Sequence, residues 1–156
     1  MHDYGKRIDL ADQPPAVRPC SIAAALEILG ERWTLLAVRE MSSGVHTFAR
    51  IAAFTGASRD MLAHRLRKLE SAGIAERRLY SEHPPRYEYH LTQAGRELFP
   101  VMQALQEWGD KWAVDTPAIR VMHDCGHPLA VERTCGHCGE PVTDDSVYSI
   151  TPAEGR

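Results

Sequence analysis

The 156-residue sequence predicts a mainly α-helical protein with one small β-hairpin. Three observations carry that prediction. Apolar residues recur at helical spacing, as Leu62, Leu66 and Leu69 do at i, i+4 and i+7. Two short runs rich in aromatic and branched side chains, residues 75–80 and 86–91, flank Pro84-Pro85, which cannot continue a strand ladder. A polar stretch, residues 114–156, follows without periodicity and carries most of the cysteine.

Residues 58–89, SRDMLAHRLRKLESAGIAERRLYSEHPPRYEY, are the centre of the pattern. The leucine stripe predicts one core face, and Asp60, His64, Arg67 and Lys68 fall on the other. Ser58 is a good N-cap, and Gly73 sits where a helix end needs a left-handed residue. The hairpin after it has an exposed basic tip.

In chain order, residues 1–18 are polar, contain proline and read as a loose arm. Ser21 opens a helix in which Ile22, Ala25, Leu26 and Leu29 share a face, ending at Gly30. A second helix runs through ERWTLLAVREM with Trp33, Leu36, Ala37 and Glu40 in phase, and Ser42-Ser43-Gly44 stops it. Residues 45–48 form an extended stub, 49–55 a short helix, and Gly56-Ala57 a tight turn before Ser58. Helix, glycine turn and helix is the helix-turn-helix arrangement, in which the second helix enters the major groove, and the hairpin is then a wing. Thr92 caps one long final helix, whose residues Leu98, Val101, Met102, Leu105, Trp108 and Trp112 make a stripe too apolar to be left in water. The chain thus divides into an arm (1–18), a winged helix-turn-helix unit (19–113) and a Cys/His tail resembling a ribbon (114–156).

Net charge is -3, but nucleic acid responds to the local field. Residues 58–87 hold seven Lys/Arg against four Asp/Glu and are the only net-positive segment, whereas 114–156 hold three against seven. Ser58, Arg59, Asp60, His64, Arg67 and Lys68 are therefore candidates for base edges or phosphates, and Arg77, Arg78 and Arg86 for backbone or minor groove. Arg65 either joins them or stays on the flank, paired with a carboxylate. No apolar run reaches the ~20 residues needed to span a bilayer, and the first residues lack signal-peptide features, so a cytoplasmic protein is expected. In a reducing compartment the four cysteines read as metal ligands or redox-active thiols.

The stretches CSIAAALEILGERWTLLAVREM, SRDMLAHRLRKLESAGIAERRLYSEHPPRYEYHLTQAGREL and QEWGDKW, spanning about residues 19–113, resemble the HxlR-type winged helix-turn-helix regulators, relatives of the MarR group. The resemblance implies a homodimeric transcription factor, usually a repressor and sometimes an activator, dimerised through its first and last helices. Its partner would be a double-stranded DNA operator built as an inverted repeat, and its effector a small molecule or oxidant. Cys20 lies at the start of the first helix, where the helix dipole and nearby Arg18 favour a thiolate. In the redox-sensing branch of the family a cysteine at this place is the reactive one. The competing reading is a small apolar side chain at a helix start.

In the tail, Cys135-Gly-His-Cys138-Gly139 is a knuckle of the kind that presents two thiolates to one Zn2+, and Cys125-Gly126 resembles half of another. Cys125, Cys135, Cys138 and one histidine, His123 in preference to His127, would close a structural zinc site. A redox-active or vestigial ribbon is the alternative. No G-x-S-x-G, H-E-x-x-H, phosphate-loop or dinucleotide pattern occurs, so no enzymatic activity is expected. The rival to a DNA-binding regulator is a metal-sensing or protein-docking adaptor, in which the tail works and the winged helix is only structural.

Overall fold

The computed structural model describes residues 20–149, and the arm at 1–18 falls outside them. Two units divide the chain between Pro117 and Ala118, rather than at the expected 113/114.

The first unit holds six helices and one hairpin among its described residues. These are α1 (Ser21–Leu29), α2 (Arg32–Ser42), α3 (Phe48–Thr55), α4 (Arg59–Ser71), β1 (Ala75–Glu82), β2 (Pro85–Leu91), α5 (Gln93–Arg96) and α6 (Phe99–Trp112). The expected class, mainly α with a winged helix-turn-helix, is the one found. α2 lies at the centre, packed on α1, α3, α4, β2 and α6. Its buried residues Thr34, Ala37, Val38 and Met41 recur at helical spacing and meet Ile51 of α3 and Leu62, Leu66 and Leu69 of α4. Each fully buried leucine contributes about 1.5–3 kcal/mol relative to exposure. Truncating Leu66, 1% exposed, to Ala would therefore cost about 2–5 kcal/mol, since close-packed surroundings relax only partly into the space.

The helix ends follow local chemistry. Ser58 Oγ accepts from Met61 N at 3.3 Å, satisfying an amide with no intrahelical partner. Gly56 takes φ 73° between α3 and α4, and Gly73 φ 69° after α4, where Ile74 N bonds back to Leu69 O at 2.9 Å. β1 and β2 pair antiparallel from Ala75↔Leu91 to Glu82↔Pro85, with an irregularity between Leu79 and Ser81 that leaves Tyr80 unpaired.

Three expectations need correction. Phe48 belongs to α3, and the extended stub ends at Thr47, which bridges Glu88. The single helix after Thr92 is two, because Pro100 has no N–H to give Arg96 and its ring would strike that carbonyl in a continuous helix. Thr92 caps only α5, through Gly95 N at 3.3 Å. The α6 stripe also splits: Leu98 and Met102 pack on the core, while Leu105, Trp108 and Trp112 stay exposed.

The second unit is built of two tight turns. Met122 bridges Pro128 around one, and Thr134 bridges Pro141 around the other. A single 3-10 turn, Asp144–Ser146, follows. None of residues 113–149 is buried.

Candidate nucleic-acid interface

α4 places its leucines inward and so turns Arg59, Asp60, His64 and Arg67 outward, all exposed. The α4 start is oriented by Ser58 and by Arg59, whose guanidinium lies 5.2 Å from the Phe48 ring. Ser58 is exposed; its hydroxyl oxygen accepts the cap bond and sets the helix start, while its O–H remains able to donate to a partner.

Not every basic residue of the segment is available to a partner. Lys68 Nζ donates to Glu27 O, a carbonyl in the last turn of α1 with no helical partner, and so ties α4 to α1. Arg65 is 7% exposed and bonds Glu31 at 3.1 Å, which settles its open reading as a flank ion pair. On the wing, Arg78 is held by Glu76. Arg77 lies 4.4 Å over the Tyr87 ring and 3.8 Å from Glu70. Arg86, opposite Ser81 beside the wing turn, is exposed, and its guanidinium has no hydrogen bond or ion pair among the described residues.

The wing is anchored to the helices by a contact that the periodicity of the sequence does not reveal. Tyr89 N donates to His46 O at 2.8 Å, and His46 Nδ1 lies 3.0 Å from Tyr89 O. The His46 and His90 rings stack at 4.0 Å, and His90 pairs with Glu88 at 3.1 Å. Half-burial, followed by the Glu70 carboxylate, raises the Tyr89 phenol above its ordinary pKa, with Arg77 and Arg67 pulling the other way. These charges therefore meet where helix and wing join. Arg50, exposed on α3 with its guanidinium 5.6 Å from Phe54, is a further basic group that the sequence pattern did not single out. Its signal was available: Ile51 and Thr55 mark the buried side of that helix, which leaves Arg50 outside.

Helix, glycine turn, helix and a hairpin in this order are the parts of a winged reading head. A model of the HxlR-like helix-turn-helix family matches residues 28–117. The chain belongs to that family. It is a DNA-binding transcriptional regulator of the HxlR and MarR-like type and not an enzyme. It is 41% identical over 138 residues to Rv3095 of Mycobacterium tuberculosis (strain ATCC 25618 / H37Rv), an uncharacterised HTH-type transcriptional regulator, covering 86% of this chain and 85% of that one. Among solved structures, PA1607, a candidate transcription factor, is 30% identical with a TM-score of 0.74, over 82% of this chain and 92% of that one. The reduced form of the transcriptional regulator YodB from B. subtilis is 32% identical with a TM-score of 0.53, over 64% of this chain and the whole of that one. The adaptor reading, with an inert winged helix, loses its ground here. No helix of the described residues is long and apolar enough to cross a membrane.

Cys20 is the N-cap of α1, exposed and not in a disulfide, and its carbonyl accepts from Ala24 N at 3.0 Å. Arg18 lies outside the described residues. In the tail, Cys135 and Cys138 come together, and the backbone N–H groups of His137 and then Cys138 point at the Cys135 sulfur and lower its pKa. His123 Nδ1 accepts from Cys125 N at 3.2 Å in the other turn, and His127 Nδ1 donates to Cys125 O at 3.2 Å. Among the described residues no three His, Cys, Asp or Glu side chains stand within reach of one ion. The expected four ligands are thus present as two pairs rather than as one cluster.

Proposed function

We propose that the protein acts in the cytoplasm as a homodimeric repressor that binds an inverted-repeat operator and responds to oxidants or electrophiles through Cys20. The observation that carries the dimer is α1. Its sequence SIAAALEIL has one charge, yet Ile22 is 70% and Leu26 56% exposed. On α6, Trp108 is 60% and Trp112 67% exposed. Apolar surface of this kind marks a protein contact. A second copy related by a two-fold axis would cover it with the same residues. Two α4 helices would then enter successive major grooves about 34–36 Å apart, which favours an inverted repeat.

The redox reading is supported by the place of Cys20 at the exposed start of this same helix. YodB has been solved both in a reduced form and after diamide treatment. Adding bulk to the Cys20 sulfur, or joining it to a second thiol, would alter the α1 contact and with it the spacing of the two α4 helices. Light scattering at micromolar concentration tests the dimer, and Leu26→Glu with Trp108→Glu should convert it to monomer. A wild-type monomer that binds operator fully would overturn the reading.

A further inference from the structure

The tail unit repeats one backbone device twice. In residues 121–129, His123 N bonds His127 O and Leu129 N bonds Val121 O, both at 2.9 Å; in residues 133–142, Cys135 N bonds Glu140 O and Val142 N bonds Arg133 O, both at 2.8 Å. The bridges Met122↔Pro128 and Thr134↔Pro141 occupy the same place in each turn. Each turn passes through a Cys-Gly step with the glycine in the left-handed region, Gly126 at φ 85° and Gly139 at φ 76°. His123 thereby corresponds to Cys135, and Cys125 to Cys138, although the first turn is one residue shorter.

The correspondence extends to the donor atoms. Cys138 N–H points at the Cys135 sulfur, and Cys125 N–H points at His123 Nδ1. In both turns the cysteine's amide points at the donor atom: the Cys135 sulfur has lone pairs enough to keep that bond when it binds an ion, whereas Nδ1 of His123 must exchange it for the ion. A second observation is independent of these turns: no described residue of the unit is buried, so nothing apolar holds it folded. Units this small without a core are ordered by disulfides or a metal, and all three of its cysteines are free thiols.

We propose that the two turns close on one Zn2+, bound by His123, Cys125, Cys135 and Cys138. The two pairs are joined by the run PLAVERT at residues 128–134, and the ion brings them together, because the free energy of metal binding orders a site that the metal-free chain does not preform. Three thiols release three protons on binding, and the imidazole enters neutral through Nδ1, whose one lone pair passes from the Cys125 N–H to the ion. Four protein donors fill a tetrahedral ion, leaving no position for a reacting water, so the site is structural. His127 takes no part, since it corresponds to Glu140, outside the ligand places.

The full chain, purified without added metal or chelator, should contain about one equivalent of zinc by elemental analysis. Cys135→Ser, Cys138→Ser, Cys125→Ser and His123→Ala should each reduce this to below roughly a tenth, while His127→Ala keeps it. In case a variant simply unfolds, Co2+ titration of the wild-type chain gives a second readout: thiolate-to-cobalt charge transfer with tetrahedral bands. Zinc below about a tenth of an equivalent, with no cobalt spectrum after Co2+ addition, overturns the site. Loss of zinc in His127→Ala but not in His123→Ala overturns the ligand assignment. Operator binding that persists in the zinc-free variants separates this result from any failure of the regulator reading.

Discussion

Arg86→Ala should flatten the salt dependence of DNA binding more than any other single change on the wing. The reason lies in what each wing arginine already does. Arg78 is held by Glu76, and Arg77 lies over Tyr87 near Glu70, so both must give up a partner to reach a phosphate. Arg86 stands exposed beside the turn with no such partner among the described residues. Each neutralised phosphate adds about 0.9 to the slope of log affinity against log salt, so one Arg86 on each of two wings accounts for about 1.8. Between about 50 and 200 mM salt, the gap between wild type and variant should shrink roughly twelvefold. Fluorescence anisotropy on operator and random duplexes over that range measures it, and the loss should be the same on both because phosphates carry no sequence. An unchanged slope, a loss confined to operator, or a larger effect from Arg78→Ala would each refute the reasoning.

Three further outcomes test other parts of the molecule. Gly95→Ala should lower stability by about 1–3 kcal/mol, because the new Cβ would stand 2.3 Å from Ile74 O and 3.0 Å from the Leu91 side chain, wedging α5 off the strand end; an unchanged thermal midpoint would show that this junction yields freely. Thr34→Val should leave stability within about 1 kcal/mol or raise it, since the buried Thr34 hydroxyl has no partner among the described residues and its removal relieves a desolvated group. A larger loss in chemical denaturation would mean that the hydroxyl is bonded in the folded protein. Cys20→Ser should keep operator affinity and lose release by diamide, which removes two electrons and two protons from a pair of thiols as it is reduced; a variant released like wild type would take Cys20 out of the response.

The parts of the fold that rest on short-range rules could be read directly from the residues. Leu62, Leu66 and Leu69 share a face by helical period alone, and Ser58 and Gly73 mark the ends of α4 by cap chemistry, so the reading helix was legible to within a residue. Pro100 was in plain view, but the apolar stripe of the last helix begins only at Leu98, so Thr92 offered the one visible start signal and concealed the separate turn of α5. The twin turns of the tail were hidden by the missing residue in the first of them, which shifts HDCGHP against CGHCGEP until the two bridges align them.

Charge was the least legible property, for a reason that bears on the interface. Local composition locates a basic segment, whereas the partners that engage it are set by contacts far apart in sequence, as when Lys68 reaches the Glu27 carbonyl and Arg65 reaches the Glu31 carboxylate. Seven basic residues in residues 58–87 therefore reduce to Arg59, Arg67 and Arg86 that meet solvent without an ion pair among the described residues. Arg50 of α3 joins them from outside the segment. The surface we propose for DNA is thus narrower than the sequence suggests, and it spans the start of α4, one flank of α3 and the wing tip. Contacts that few would make the affinity of the proposed dimer depend strongly on the spacing of its two copies. In that proposed dimer a small displacement of α1 is enough to control binding.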